Sequence, residues 1–159
     1  DLSTYACEVN TQRKSSIFEN VDLDTRSKRL FSIPSGSQKE YVNKYETGNR
    51  IPLLKLSEMY LIAAECAGSK KEALEYFNTL RQHRGFEVTD DLKEEDTTDE
   101  KLQTAIGKEY RKEFIGEGQW FFYCKRTDQA TLPNVQVPFS KAYYVLPIPD
   151  QELEYGNRN

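Results

Sequence analysis

Apolar residues recur at three- and four-residue steps through Leu56, Met59, Tyr60, Ala63, Ala64 and Ala67. That spacing predicts a helix over 54–67 with these side chains on one face. Pro52 precedes it and Gly68 follows it, as start and stop signals should. Ser69-Lys70-Lys71-Glu72 has the form of a capping box, in which the hydroxyl takes an orphan N–H and the Glu reaches back. A second helix therefore runs to about His83, with Ala73, Phe77 and Leu80 inward. Gly85 is placed to close it in a left-handed conformation. Thr98 caps a third helix, with Asp99 and Glu100 in the first turn, where the helix dipole favours anions. Its stripe is Leu102, Ala105, Ile106, Tyr110 and Phe114, and Gly116 and Gly118 interrupt it. The aromatic run Trp120-Phe121-Phe122-Tyr123 resumes as a short helix ending near Arg126, with Trp120 in the core.

The ends of the chain read differently. Residues 1–50 are dominated by polar and turn-forming residues and predict irregular structure. Short extended pieces are expected at Leu30 to Ile33 and Tyr41 to Tyr45, where β-formers alternate with polar residues. So long a stretch of loop makes sense only if it packs on the helices that follow or on another part of the protein. Residues 86–97 are an acidic loop, 127–142 loop-like, and Tyr143 to Ile148 an extended piece broken by Pro147 and Pro149. Two helices joined by a tight link are antiparallel neighbours. This pair is similar to a tetratricopeptide unit of ~34 residues, though not a full match, and one hairpin cannot bury its face alone. The expected fold is mainly α: tetratricopeptide-like helical hairpins with long irregular loops and a few short strands. It forms a single unit over 1–159, loop-rich over 1–50, helical over 51–126, and loop and tail over 127–159.

Composition adds exclusions. The 159 residues are 37% apolar and 12% aromatic, enough to bury a core rather than remain disordered. With 22 basic and 26 acidic residues the net charge is -4 and no basic run occurs, which predicts no affinity for nucleic acid or anionic lipid headgroups. The first residues carry neither a basic start nor an apolar stretch, so they are no signal peptide. The chain is either cytoplasmic or begins after a removed segment, and Met59 is its sole methionine. Cys7, Cys66 and Cys124 are odd in number and widely spaced, which fits neither a zinc site nor a disulfide framework. Cys66 and Cys124 read as small hydrophobes, and a Cys7–Cys124 bridge is left open.

Few residues offer chemistry. His83 is the single histidine, so any Ser-His or Cys-His mechanism must run through it. Its place beside Arg81 and Arg84 near a helix end suits capping instead. Glu109, Glu113 and Glu117 step by four along one helix. Carboxylate pairs serve glycosidic cleavage when they flank a sugar in a cleft. The alternative is a structural stripe held by basic residues such as Lys112 or Arg126, since unpartnered buried carboxylates are costly. The acids Asp90-Asp91 and Glu94-Glu95-Asp96 lack the glycine and spacing of a calcium loop. Gly116-Glu117-Gly118 lacks the Lys-Ser/Thr of a phosphate loop. No catalytic residue, metal ligand or cofactor is assigned.

Three ordered blocks stand out. They are Arg50 to Glu65 (RIPLLKLSEMYLIAAE), Lys108 to Phe114 (KEYRKEF) running into Gly116-Glu117-Gly118-Gln119, and Val145-Leu146-Pro147-Ile148-Pro149 followed by Glu152. The set resembles the C-terminal region of the SusD/RagB family, the nutrient-binding outer-membrane lipoproteins of Bacteroidetes. Asp24-Thr25-Arg26 and Lys44-Tyr45 look like the family's segment just upstream. The resemblance implies a surface-exposed lipoprotein of the cell outer membrane. It would touch the membrane only through an N-terminal lipid absent from this chain, and would cap a SusC-type TonB-dependent porin. It implies binding of an oligosaccharide, or sometimes a peptide, without catalysis, on a superhelix of tetratricopeptide-like hairpins with long loops. Family members are about three times longer, so the chain looks like a C-terminal part. After Gly118 many members carry an Arg and an Asp where Trp120 and Tyr123 stand here, so that helix carries an aromatic pair in place of an ion pair.

The family's ligand site lies on variable loops and carries over no residue. Sugars bind by stacking on exposed aromatic faces beside polar groups, and in the loop-rich start Tyr5 and Tyr41 are the candidates by elimination. Packing of these tyrosines on the helices is the alternative. Two other functional classes remain: a helical-repeat interaction module without a small-molecule ligand, and a hydrolase using the glutamate stripe.

Overall fold

A computed structural model describes residues 8–45, 52–133 and 140–155. Its contacts divide the chain into two units, residues 1–120 and 121–159. In the first unit, β1 (Glu8–Val9), β2 (Phe31–Ser32) and β3 (Glu40–Val42) form a small antiparallel sheet in the order β1-β3-β2. Tyr41 lies opposite both Glu8 and Ser32, and Val42 opposite Phe31. The two extended pieces expected in this segment therefore exist, each shortened to two or three residues.

Two short helices, α1 (Thr11–Ile17) and α2 (Thr25–Arg29), were not expected in the loop-rich segment. Neither carries an apolar stripe. Each is instead started by a side-chain cap: Asn10 accepts from the Arg13 N–H at 2.7 Å, and Asp24 from the Arg26 N–H at 3.0 Å. Val9, Phe18 and Phe31 make a core cluster beneath the sheet, with Leu30, Val42 and Ile115 packed against it. Phe18 and Phe31 meet edge to face, their centroids 5.9 Å apart.

The helices follow in the expected order as α3 (Leu56–Cys66), α4 (Lys70–Gln82) and α5 (Asp99–Glu113). They pack on one another and enclose Leu61, Ala64, Ala73, Leu74, Phe77, Leu80, Leu102, Ile106 and Tyr110. Burying a side chain such as Phe77 or Leu61 contributes roughly 1.5–3 kcal/mol each. Ser69 caps α4 by accepting the Glu72 N–H at 3.3 Å, and Glu72 accepts the Gly68 N–H at 3.3 Å. Thr98 caps α5 through the Lys101 N–H at 3.2 Å. Gly85 has φ +103°, and a Cβ there would lie 2.3 Å from the Leu23 carbonyl oxygen. The turn after α4 thus needs glycine both for its backbone and for its closeness to the loop before α2.

The stripe read on α3 is corrected. Its inward residues are Ser57, Leu61 and Ala64, whereas Leu56 is 73% exposed and Met59 also faces out. The helix is apolar on two sides, so periodicity alone could not say which side meets α4 and α5.

In the second unit, α6 (Gln119–Arg126) enters from the first and ends as expected. Trp120 at its start is half-buried rather than core. Phe121 packs on Tyr144 with centroids 5.7 Å apart, and the Tyr144 hydroxyl donates to the Gln129 carbonyl at 3.1 Å. Tyr143 lies in a 3-10 turn, Lys141–Tyr144, rather than in an extended piece. A helix not expected from the sequence, α7 (Asp150–Tyr155), follows Pro149. Among the described residues no helix is long and apolar enough to cross a membrane.

Candidate functional site

The glutamate stripe on α5 is the most chemically loaded feature of the first unit, and α2 supplies its counter-charge. Asp24 fixes the start of α2 and holds the Arg26 guanidinium through Nε at 2.9 Å and Nη2 at 2.6 Å. The same guanidinium reaches α5, donating from Nη2 to Glu109 at 2.8 Å and from Nη1 to Glu113 at 2.7 Å. All four residues are buried, Arg26 only 5% exposed. Charges so deep persist only because every one is paired. Glu109 is also paired to Lys112, itself buried one turn along the same helix. Glu113 takes two more bonds from Arg84, through Nε at 2.5 Å and Nη2 at 3.1 Å.

The third glutamate is held by the neighbouring loops. Glu117 accepts from both Lys44 and Lys55, and from the Tyr45 hydroxyl at 2.9 Å. Lys44 also donates to the Glu113 carbonyl. The stripe thus gathers Asp24, Arg26, Lys44, Tyr45, Lys55 and Arg84 from four chain segments.

Electrostatics follow from this wiring. Burial pushes the Glu113 carboxyl up, but the Arg84 hydrogen bond and the charges of Arg26 and Arg84 outweigh it and hold it at about 2. Burial likewise raises Glu117, and its bonds to Lys44, Lys55 and Tyr45 bring it below the usual carboxylate range. Burial lowers Arg26, more than offset by its three carboxylates. Burial also pushes Lys44 down to about 8, helped by Lys55 and opposed by Glu117. A glycosidase acid needs a carboxyl with a raised pKa. Glu113 and Glu117 are shifted the opposite way, so they cannot hold a proton to donate at neutral pH.

A cavity of about 370 Å³ opens beside Glu117, walled by Tyr45 and Phe114 with Lys55, Glu58 and Gln119 around it. Its volume suits a sugar ring. The Lys55 ammonium, however, already lies 5.6 Å from the Tyr45 ring centroid and 5.0 Å from that of Phe114. That cation occupies the ring faces a sugar would stack on.

Of the residues singled out in sequence, Tyr5 and Cys7 lie outside the described residues. Tyr41 is half-buried in the central strand β3. His83 is exposed at the end of α4, its Nδ1 donating to the Thr79 carbonyl at 2.8 Å, which is a capping role. Asp90 accepts from the Glu87 N–H at 2.9 Å and Asp91 from the Gln82 amide at 2.9 Å, so both acids organise the loop after α4. Cys66 is exposed and Cys124 buried. Lys112 is a partner of the stripe, as expected. The Arg126 guanidinium lies 5.3 Å from the Tyr123 ring centroid. Arg26, the hub, was noticed only as part of a triplet; nothing local in the sequence shows that it reaches residues more than eighty positions away.

Comparison with known proteins gives one match: a family model described as "SusD family" aligns with residues 10–136. No curated protein and no solved structure matches the chain.

Proposed function

The chain belongs to the SusD family, and from that membership we propose that it is the C-terminal region of a surface nutrient-binding lipoprotein. In this reading it binds an oligosaccharide, or another nutrient, and passes it to a SusC-type TonB-dependent porin of the outer membrane. No bond is made or broken. The observation that carries the reading is the family match over four fifths of the chain. Support for a non-catalytic role comes from the glutamate stripe, whose carboxylates are all engaged by cations. Ligand capture falls to the loop-rich segment, with Tyr5 and Tyr41 as the stacking candidates. The test is co-purification of the full-length protein with its porin from detergent-solubilised outer membrane, together with mass spectrometry of bound glycan. Recovery of both supports the reading; a protein that stays in the cytoplasm without a porin overturns it.

A second reading, a helical-repeat interaction module, is favoured by one observation. Leu53, Leu54, Leu56 and Met59 are all exposed around the start of α3, an apolar patch of the kind that marks a protein contact. Leu56→Lys separates the two. It abolishes capture of a protein partner in the second reading and leaves glycan binding intact in the first.

A further inference from the structure

On a chain of net charge -4, one cavity has four cationic side chains and the single histidine among its eight lining residues. It has a volume of about 230 Å³ and lies between α2 and the end of α4, with Arg26, Arg29, Lys44, His83 and Arg84 around it and Glu113 as its one carboxylate. Both Glu113 oxygens are already taken, Oε1 by Arg26 and Arg84 and Oε2 by Arg84. The carboxylate therefore has little left to offer a further cation.

Helix ends account for part of the surplus: Arg29 lies in the last turn of α2, and Arg84 Nη1 donates to the His83 carbonyl at 3.3 Å. The Arg84 carbonyl accepts the Thr25 N–H at 2.8 Å, and the Thr79 carbonyl accepts from His83. The Arg29 guanidinium is exposed and makes no hydrogen bond or ion pair among the described residues. Lys44 shares Glu117 with a second ammonium, Lys55, so that pair also carries one cation more than its carboxylate balances. Guanidinium groups recognise planar and tetrahedral oxyanions through paired N–H bonds. A site with a whole unpaired guanidinium, partly desolvated neighbours and room for more than the acidic substituent itself suits such a group.

We infer that this cavity receives the anionic group of an acidic sugar, a uronate carboxylate or a sulfate ester, with Arg29 as its principal donor. This rests on the nutrient-binding reading and specifies the ligand class. Arg29 closes on the anion, Arg84 and His83 flank it, and the buried Arg26–Glu113 pair forms the floor.

The test is backbone-amide NMR of the full chain titrated with trigalacturonate, with a sulfated disaccharide, with sodium sulfate alone, and with neutral maltotriose. The expected result is saturable shifts at Arg29, His83 and Arg84 with one or both acidic sugars and none with maltotriose. Which acidic sugar shifts them tells carboxylate from sulfate ester. Arg29→Ala, on the surface and therefore expected to fold, weakens that binding about tenfold, the loss of one charge-assisted bond. Unmoved signals with both acidic sugars overturn the inference, as does equal binding of maltotriose or of the Arg29→Ala variant. Response to free sulfate only marks an adventitious ion site and also overturns it. Capture of neutral glycan elsewhere on the full-length protein, with these signals still, overturns this inference while leaving the nutrient-binding reading standing.

Discussion

Replacing Arg26 with Met removes the one guanidinium that joins Asp24, Glu109 and Glu113. Met keeps much of the volume, so cavity terms stay small. The three acids do not suffer equally. Glu109 retains Lys112 and Glu113 retains Arg84. Asp24 loses both side-chain bonds from Arg26 and keeps only the backbone N–H of residue 26, in a site where it is 1% exposed. Breaking a buried pair from one side costs about 3–5 kcal/mol. For an ordinary domain with 5–15 kcal/mol in total, that is a large fraction. With a urea m-value near 2 kcal/mol/M the midpoint falls by about 1.5–2.5 M. The double variant Arg26→Met with Asp24→Asn keeps a capping oxygen but sheds the stranded charge, and recovers more than half of the loss. Urea unfolding followed by circular dichroism at pH 7 measures all three proteins. A single variant within 1 kcal/mol of the parent, or a double variant no better than the single, refutes the reasoning.

Gly85→Ala is expected to cost ~2 kcal/mol or more, from a positive φ and a clash with the Leu23 carbonyl; chemical denaturation measures it, and a loss under 0.5 kcal/mol contradicts the close approach. Acid should weaken the fold through Glu113, whose carboxyl lies at about 2 when folded against 4.5 when free. A carboxyl depressed on folding stabilises above its free value, and roughly 3 kcal/mol is lost as pH falls through that window. Unfolding free energies from pH 6 to 2.5, compared with Glu113→Gln, should show the variant's curve flatter. Reductive ¹³C-methylation followed by NMR titration should find Lys44 losing its proton near pH 8. Because that value lies below the free lysine's, stability gains as pH rises from 8 toward 10.5; a Lys44 midpoint near 10.5 contradicts the burial of this ammonium beside Lys55.

The helices of the first unit were legible because their signals are local: Ser69, Thr98 and Gly85 mark ends that coincide with the observed ones within a residue or two. Buried positions on α4 and α5 followed from one clear apolar stripe each. On α3 the same reasoning failed, because Leu56 and Met59 belong to a second apolar side. The short helices α1 and α2 were missed because caps and one buried ion pair hold them, and neither has periodicity. That the glutamates would have cationic partners was legible from the cost of burying charge. Which cations hold them was not, since Arg26 and Arg84 lie far from α5 along the chain and meet it only after folding. Of the three ordered blocks that carry the family resemblance, the first two lie within the matched residues 10–136 and the third, Val145 to Glu152, lies beyond them.

We propose that the α5 glutamates fasten neighbouring segments to the helices rather than act on a substrate. The Thr25 N–H, bonded to the Arg84 carbonyl at 2.8 Å, reports this junction of α2 and α4. Hydrogen exchange at that amide, in the parent and in Glu113→Gln, is the most direct measurement. A fastening role predicts exchange at least tenfold faster in the variant, the loss of about 1.4 kcal/mol of local protection. Unchanged protection at Thr25 in Glu113→Gln, accompanied by loss of a glycan-cleaving activity present in the parent, contradicts it.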